Sequence, residues 1–227
     1  MNYEFIFQKE YYNDINSDIK DLCFVVPIMS RKNGLQYFET SISKNKSIFK
    51  NTTLCLYIND SDLKKVKDKI NIPYTVIPRV EHKAIIENFE KGSYNYWRSN
   101  LCADFIYSME QSIKLHSECL YFAWLEDDVL LHPHLSSIWK QKENFVWTHN
   151  GHGATCIIFE KQYLIDRILP VTKSLYLNDM PLDWMFHHWS NPHQETSIPK
   201  IAFHIGVESS YGTTRPQDDW SEYNSIQ

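Results

Sequence analysis

The stretch Tyr121-Phe122-Ala123-Trp124-Leu125-Glu126-Asp127-Asp128-Val129 decides how this chain is read. A short apolar run, rich in aromatics, passes directly into three consecutive acids. Such a run has the composition of a strand buried on both faces. In open α/β sheets, ligands collect outside the carboxyl ends of the strands, which is where these acids stand. If extended geometry continues past Leu125, Glu126 and Asp128 point to one side. Two carboxylates so spaced can share a hard divalent cation, because magnesium and manganese favour oxygen ligands and use few protein carboxylates. An acidic turn closing a strand explains the same residues, since Asp is a common turn former.

The segments around this stretch alternate in the same manner. Leu22 to Ile28, Leu54 to Ile58 and Tyr74 to Pro78 are apolar strand-like runs. Helical patterns lie between them, near Leu35 to Ser43 and Asp62 to Lys69. A long helix from about Tyr96 to Leu115 carries Leu101, Phe105, Met109 and Ile113 at helical spacing and leads into the acidic strand. Further strands are expected at Phe145 to Thr148, Thr155 to Phe159 and Lys200 to His204. Helices are expected near Leu135 to Gln141, from Lys161 to Leu169 ending before Pro170, and from Pro181. Strand and helix in alternation predict an α/β domain with a mainly parallel central sheet and flanking helices. The 227 residues are read as one domain, with a core over about 22–212 and a polar tail over 213–227.

Composition narrows the function classes. A net charge of -5 does not suit a chain that neutralises many phosphates, so nucleic acid is not an expected partner. The abundance of aromatic residues, 15% of the chain, argues for a packed core rather than disorder. No transmembrane segment is expected, and Met1 to Glu10 lack the pattern of a secretory signal. A cytoplasmic location is therefore expected, with Cys23, Cys55, Cys102, Cys119 and Cys156 as reduced, buried thiols. Asn45-Lys46-Ser47 and Asn51-Thr52-Thr53 match the glycosylation sequon and are read as chance matches.

Other residues bear on chemistry. His204 closes an apolar strand; it is either a core histidine or a third ligand beside the acids, since imidazole is a common third ligand for manganese or zinc. Asp183, in Pro181-Leu182-Asp183-Trp184, is either a dipole-favoured acid in a first helical turn or a general base. Arg98 could grip phosphate oxygens, or pair with Asp104 or Glu90. No P-loop, GxGxxG or GxSxG motif occurs.

Together these pieces resemble the N-acetylglucosaminyltransferase IV family, glycosyltransferase family 54. The resemblance runs through ordered blocks: Val26-Pro27-Ile28 with Arg31; Trp97-Arg98 with Asp104 and Phe105; Tyr121 through Val129; Pro181 through Trp184; and Phe203-His204-Ile205-Gly206 followed by Ser209, Ser210 and Gly212. It implies a GT-A type, Rossmann-like nucleotide-diphosphosugar transferase fold. It also implies an inverting mechanism, a UDP-sugar donor, possible N-acetylglucosamine transfer, a glycan acceptor, and manganese or magnesium. On this resemblance Asp128 and His204 are metal ligands, and Glu126 and Asp127 hold ribose or metal-bound water. Pro27, Arg31, Arg98 and Asp104 bind the donor, and Asp183 is the general base. The chain departs from the family at His149-Asn150-Gly151-His152-Gly153, so donor sugar and acceptor stay open. The competing readings are a lapsed transferase fold that only binds nucleotide sugar or glycan, and a metal-dependent phosphoesterase.

Overall fold

A computed structural model describes residues 19–28, 34–132, 135, 147–149, 155–178, 180–182, 185 and 201–205. The expected strands form, and a short strand that the sequence did not mark, Val129–Leu131, joins them. They are β1 (Leu22–Pro27), β2 (Thr53–Ile58), β3 (Thr75–Pro78), β4 (Tyr121–Leu125), β5 (Val129–Leu131), β6 (Trp147–His149), β7 (Cys156–Glu160) and β8 (Ala202–His204). Six of them make one sheet in the order β3-β2-β1-β4-β7-β6. β3, β2, β1 and β4 run parallel, while β7 and β6 add antiparallel at one side. The sheet is therefore mainly parallel, as expected.

Both faces of the sheet are covered, which explains the unbroken apolar runs. Phe24 and Val26 point to one face, with Leu54, Leu56, Ala123 and Leu125. There they meet Phe38 and Ile42 of helix α1 (Gly34–Lys44), Ile48 and Phe49 of α2 (Lys46–Phe49), and Val66 of α3 (Asp60–Val66). Cys23, Val25, Cys55, Phe122 and Trp124 take the other face. A short helix α4 (Lys83–Asn88) and the long α5 (Tyr94–Leu115) follow β3, and Phe105 and Met109 of α5 are fully buried against that second face. Phe105 sits edge-on to Trp124 at 5.4 Å and to Phe159 at 6.0 Å. Local caps fix where the helices start. The Asn59 side chain accepts from the Asp62 N–H, and Ser93 accepts from the Tyr96 N–H.

One helix boundary differs from expectation. The helix expected to stop before Pro170 begins at Lys161–Tyr163, widens into a π turn over Leu164–Ile168, and continues through Leu169–Leu175. Proline breaks a helix because it lacks an N–H and its ring clashes with the carbonyl a turn earlier. Here Pro170 falls in the first turn after the widened segment, where the hydrogen-bond ladder is already reset.

The strand that ends in His204 lies outside the main sheet. β8 pairs antiparallel with β5 in a separate two-stranded ribbon, with Val129 opposite His204. The other edge of β5 is satisfied by a side chain. The Asn45 amide donates to the Val129 carbonyl at 2.9 Å and accepts from the Leu131 N–H at 2.8 Å. It bonds these groups as the peptide of a neighbouring strand would. Ser41 Oγ donates to the same Val129 carbonyl at 2.6 Å. Asn45 is 2% exposed, so its sequon is closed in the folded chain. All five cysteines are buried. Among the described residues no helix is long and apolar enough to cross a membrane. The helix expected near Leu135 lies outside the described residues, Leu135 itself excepted; of the one expected from Pro181, residues 181, 182 and 185 are described.

Candidate metal centre

The acids stand where sheet topology favours a ligand. From β1 the chain moves outward through β2 and β3, then returns to place β4 on the opposite side of β1. The strand order therefore reverses between β1 and β4. A crevice outside the carboxyl ends at such a point is the usual ligand site of an open α/β sheet. β4 ends at Leu125, and the Glu126 N–H donates to the Thr155 carbonyl at 3.0 Å, which holds the strand's exit against β7. Residues 127 and 128 then form a turn into β5. Glu126 and Asp128 do converge, but through this turn rather than through continued strand alternation.

His204 completes the group from the other side of the ribbon. Its Nε2 lies 2.8 Å from Glu126 Oε2, and its Nδ1 lies 3.4 Å from Asp128 Oδ1. The Ile205 N–H donates to the Asp128 carbonyl at 2.9 Å, so main chain as well as side chains ties the two segments. Asp128 is fully buried, while the Glu126 side chain is 22% exposed and gives the site an open side. One ligand atom from each of Glu126, Asp128 and His204 lies within 4.8 Å of the others.

The electrostatics of this trio favour a cation. Burial alone pulls the His204 pKa down, but hydrogen bonds to Asp128 and Glu126 and the charges of both outweigh it, and the ring is raised to about 10. The field that retains a proton on this imidazole is the field a divalent ion would meet. Two carboxylates and one imidazole form a donor set suited to manganese, and to magnesium with water completing the shell.

The remaining sequence candidates divide by place. Pro27 ends β1 beside the switch point, and the next N–H, of Ile28, bonds to the Tyr57 carbonyl at 2.9 Å. Asp127 is 2% exposed on the turn and is not one of the convergent trio. The Arg98 guanidinium lies over the Tyr94 ring, 3.9 Å from its centroid, and donates to the Tyr94 hydroxyl. Asp104 takes Arg79 as its ion-pair partner at 2.7 Å and is fully buried. Arg31 and Asp183 lie outside the described residues, although Leu182 and Met185, on either side of Asp183, are buried. Reading outward from the acidic motif misses Asn45, Arg79 and His82. The last two stand just past the carboxyl end of β3, and the strand-end rule that marked Glu126 marks them as well.

No protein-family model matches the chain, and a search of curated proteins finds no relative. Solved structures do match. Core-mannan synthase A from Aspergillus fumigatus, in its Mn/GDP form, aligns at a TM-score of 0.53 and 9% identity, covering 92% of this chain and 81% of its own. The fold is the GT-A nucleotide-sugar transferase fold. A glycosyltransferase involved in glycosylation of the major capsid of PBCV-1 aligns at 0.46 and 9% identity, covering 83% of this chain and 94% of its own. A 4-diphosphocytidyl-2C-methyl-D-erythritol synthase from Anaerococcus prevotii aligns at 0.45 and 9% identity, covering 78% and 87%. The similarity is one of fold, and no structure named here belongs to the N-acetylglucosaminyltransferase IV family.

Proposed function

We propose that this chain is a metal-dependent, inverting glycosyltransferase that moves a sugar from a nucleoside-diphosphate donor, UDP by the family resemblance, to a glycan hydroxyl. The observation that carries this reading is the convergence of Glu126, Asp128 and His204 at the topological switch between β1 and β4. The Mn/GDP form of core-mannan synthase A supports a donor complex of the same class. A bound manganese or magnesium ion would supply Lewis-acid neutralisation of the charge that develops on the leaving nucleoside diphosphate.

The chain's own groups do the rest. Asp128, on the turn into β5, and His204, on β8, would hold the ion from two different segments, and the more exposed Glu126 would close the site toward the donor. Asp127, Pro27, Arg31 and Arg98 are assigned to the donor side by the family resemblance. Asp183 takes the proton of the attacking hydroxyl, a role that contributes about 10²–10⁴-fold when a base is well placed. Attack from the face opposite the leaving group inverts the anomeric centre.

A panel of nucleotide sugars tests the reading, with donor hydrolysis and transfer to glycans followed in manganese and in chelator. Metal-dependent turnover of one donor is expected. Binding without turnover across the panel would make the chain a binding module, and release of phosphate from simple phosphoesters would make it a phosphoesterase.

A further inference from the structure

Away from the metal centre, several elements at the carboxyl end of the sheet converge on one buried carboxylate. Asp104, on the first half of α5, has a fully buried side chain. Its Oδ1 accepts from the Tyr57 hydroxyl at 2.8 Å and from His82 Nε2 at 2.9 Å. Its Oδ2 accepts from Arg79 Nη2 at 2.7 Å and from Asn100 Nδ2 at 3.1 Å. Tyr57 in turn accepts the Val80 N–H at 3.3 Å. Burial first, and then the charge of Asp104 and the bond to it, raise the Tyr57 pKa, so the phenol stays a donor. Both oxygens of Asp104 are thus occupied from within, and this carboxylate has little left to offer a ligand.

Its partners do have donors to offer. The Arg79 side chain is 21% exposed and that of His82 is 14% exposed. Among the described residues Arg79 has one side-chain partner, Asp104, so most of the guanidinium fork remains for solvent or ligand. His82 uses Nε2 on Asp104, which leaves Nδ1, and its ring packs edge-on against Tyr107 at 6.4 Å. The position is as informative as the chemistry. The Arg79 N–H bonds to the Ile58 carbonyl at 3.0 Å, which places it at the ends of β2 and β3. In the order β3-β2-β1-β4 this is the same edge as the metal centre, three strand spacings away, or about 14 Å.

We infer that Arg79 and His82 receive the nucleobase of the donor, and that Asp104 is a buried positioning residue that aims them. This inference rests on the donor reading above. With the diphosphate at β4, a group held beyond β2 is the far end of the donor. The nucleoside fits that end, because a guanidinium fork and an imidazole suit the hydrogen-bonding edge of a base. Arg79 can only donate, so it favours a base edge whose acceptors have no amino donor beside them on that edge, as in the O6/N7 edge of guanine or at a carbonyl of uracil. Adenine sets its amino donor beside N7, which opposes the fork.

Calorimetry with UDP, GDP, CDP and ADP in manganese tests this. The parent should bind UDP or GDP at least about tenfold more tightly than ADP, the size of one well-placed charged contact. Arg79→Gln should lose most of that preference, while manganese alone, measured by its electron spin resonance, binds as in the parent. Asp104→Asn should also lose base preference and should melt earlier. His82→Gln, at a position less buried than Asp104, supplies a second test that does not depend on that buried change. A purely structural node would alter melting without altering base preference. Undiminished preference in both Arg79→Gln and His82→Gln overturns the inference while leaving the metal-centred donor reading standing. Failure of any nucleotide to bind the parent overturns both.

Discussion

His204 and Asp128 meet twice: the imidazole Nδ1 lies 3.4 Å from the carboxylate, and the next amide, of Ile205, donates to the Asp128 carbonyl at 2.9 Å. The main-chain bond fixes the register of the ribbon, and the register places the ring over the acids. A candidate ligand set held in this way would be preorganised, because its geometry is set by backbone pairing before any ion arrives.

Removal of the central carboxylate should abolish metal-linked nucleotide binding. For Asp128→Ala, the affinity for UDP in manganese is expected to fall about a hundredfold, toward the value in chelator. Titration calorimetry of parent and variant reads this directly. Equal parental affinity in manganese and in chelator would remove the metal from the proposal.

The pH dependence follows from His204. Its folded-state pKa, about 10, lies above the ordinary 6.5. In metal-free protein its contribution to stability is therefore fully present below about pH 6.5 and is lost as pH rises through about 10. Melting temperature in chelator should decline across that window, and His204→Gln should flatten the decline. Manganese must displace the same proton, so its affinity should climb with pH over the same range. A pH-independent manganese affinity would show that His204 is not a ligand.

Asp183 separates binding from chemistry. A base acting on the acceptor proton contributes in the transition state, so Asp183→Asn should bind UDP and manganese like the parent. It should lose transfer by about a hundredfold or more. Single-turnover transfer on folded protein is the measurement, and parental rates would place the base elsewhere.

Asn45 links stability to the site. Its amide serves both the Val129 carbonyl and the Leu131 N–H, and β5 carries the partner strand of His204. Asn45→Ala leaves a buried N–H without its acceptor and weakens the bonding of the carbonyl, at a cost of about 2–4 kcal/mol. Urea unfolding should show that loss, and manganese should bind more weakly to the variant even where it is folded. Parental manganese affinity in a destabilised variant would show that the ribbon does not position His204.

Much of the sheet was legible because burial on both faces writes itself as continuous apolar runs. Leu22 to Pro27 and Thr53 to Ile58 needed no partner information to be read as strands. Pro170 was misleading because the proline rule is local, while the π turn that accommodates it depends on the packing of Leu164, Ile168 and Leu169. β5 is three residues long, too short for any period to register, and although the apolar run to His204 marked β8, the pairing of the two joins distant parts of the chain.

The sequence by itself determined that acids would stand at the end of a buried parallel strand, since apolar runs must leave water and their polar exits must stay near it. It also marked His204 as a polar residue closing another such run. Only the tertiary structure decided that His204 lies over Glu126 and Asp128, and that Asp104 is spent on Arg79, His82, Tyr57 and Asn100. The reason is physical: a local pattern records which face of an element is apolar, whereas the partner of a buried charge is set by which elements are brought together around it.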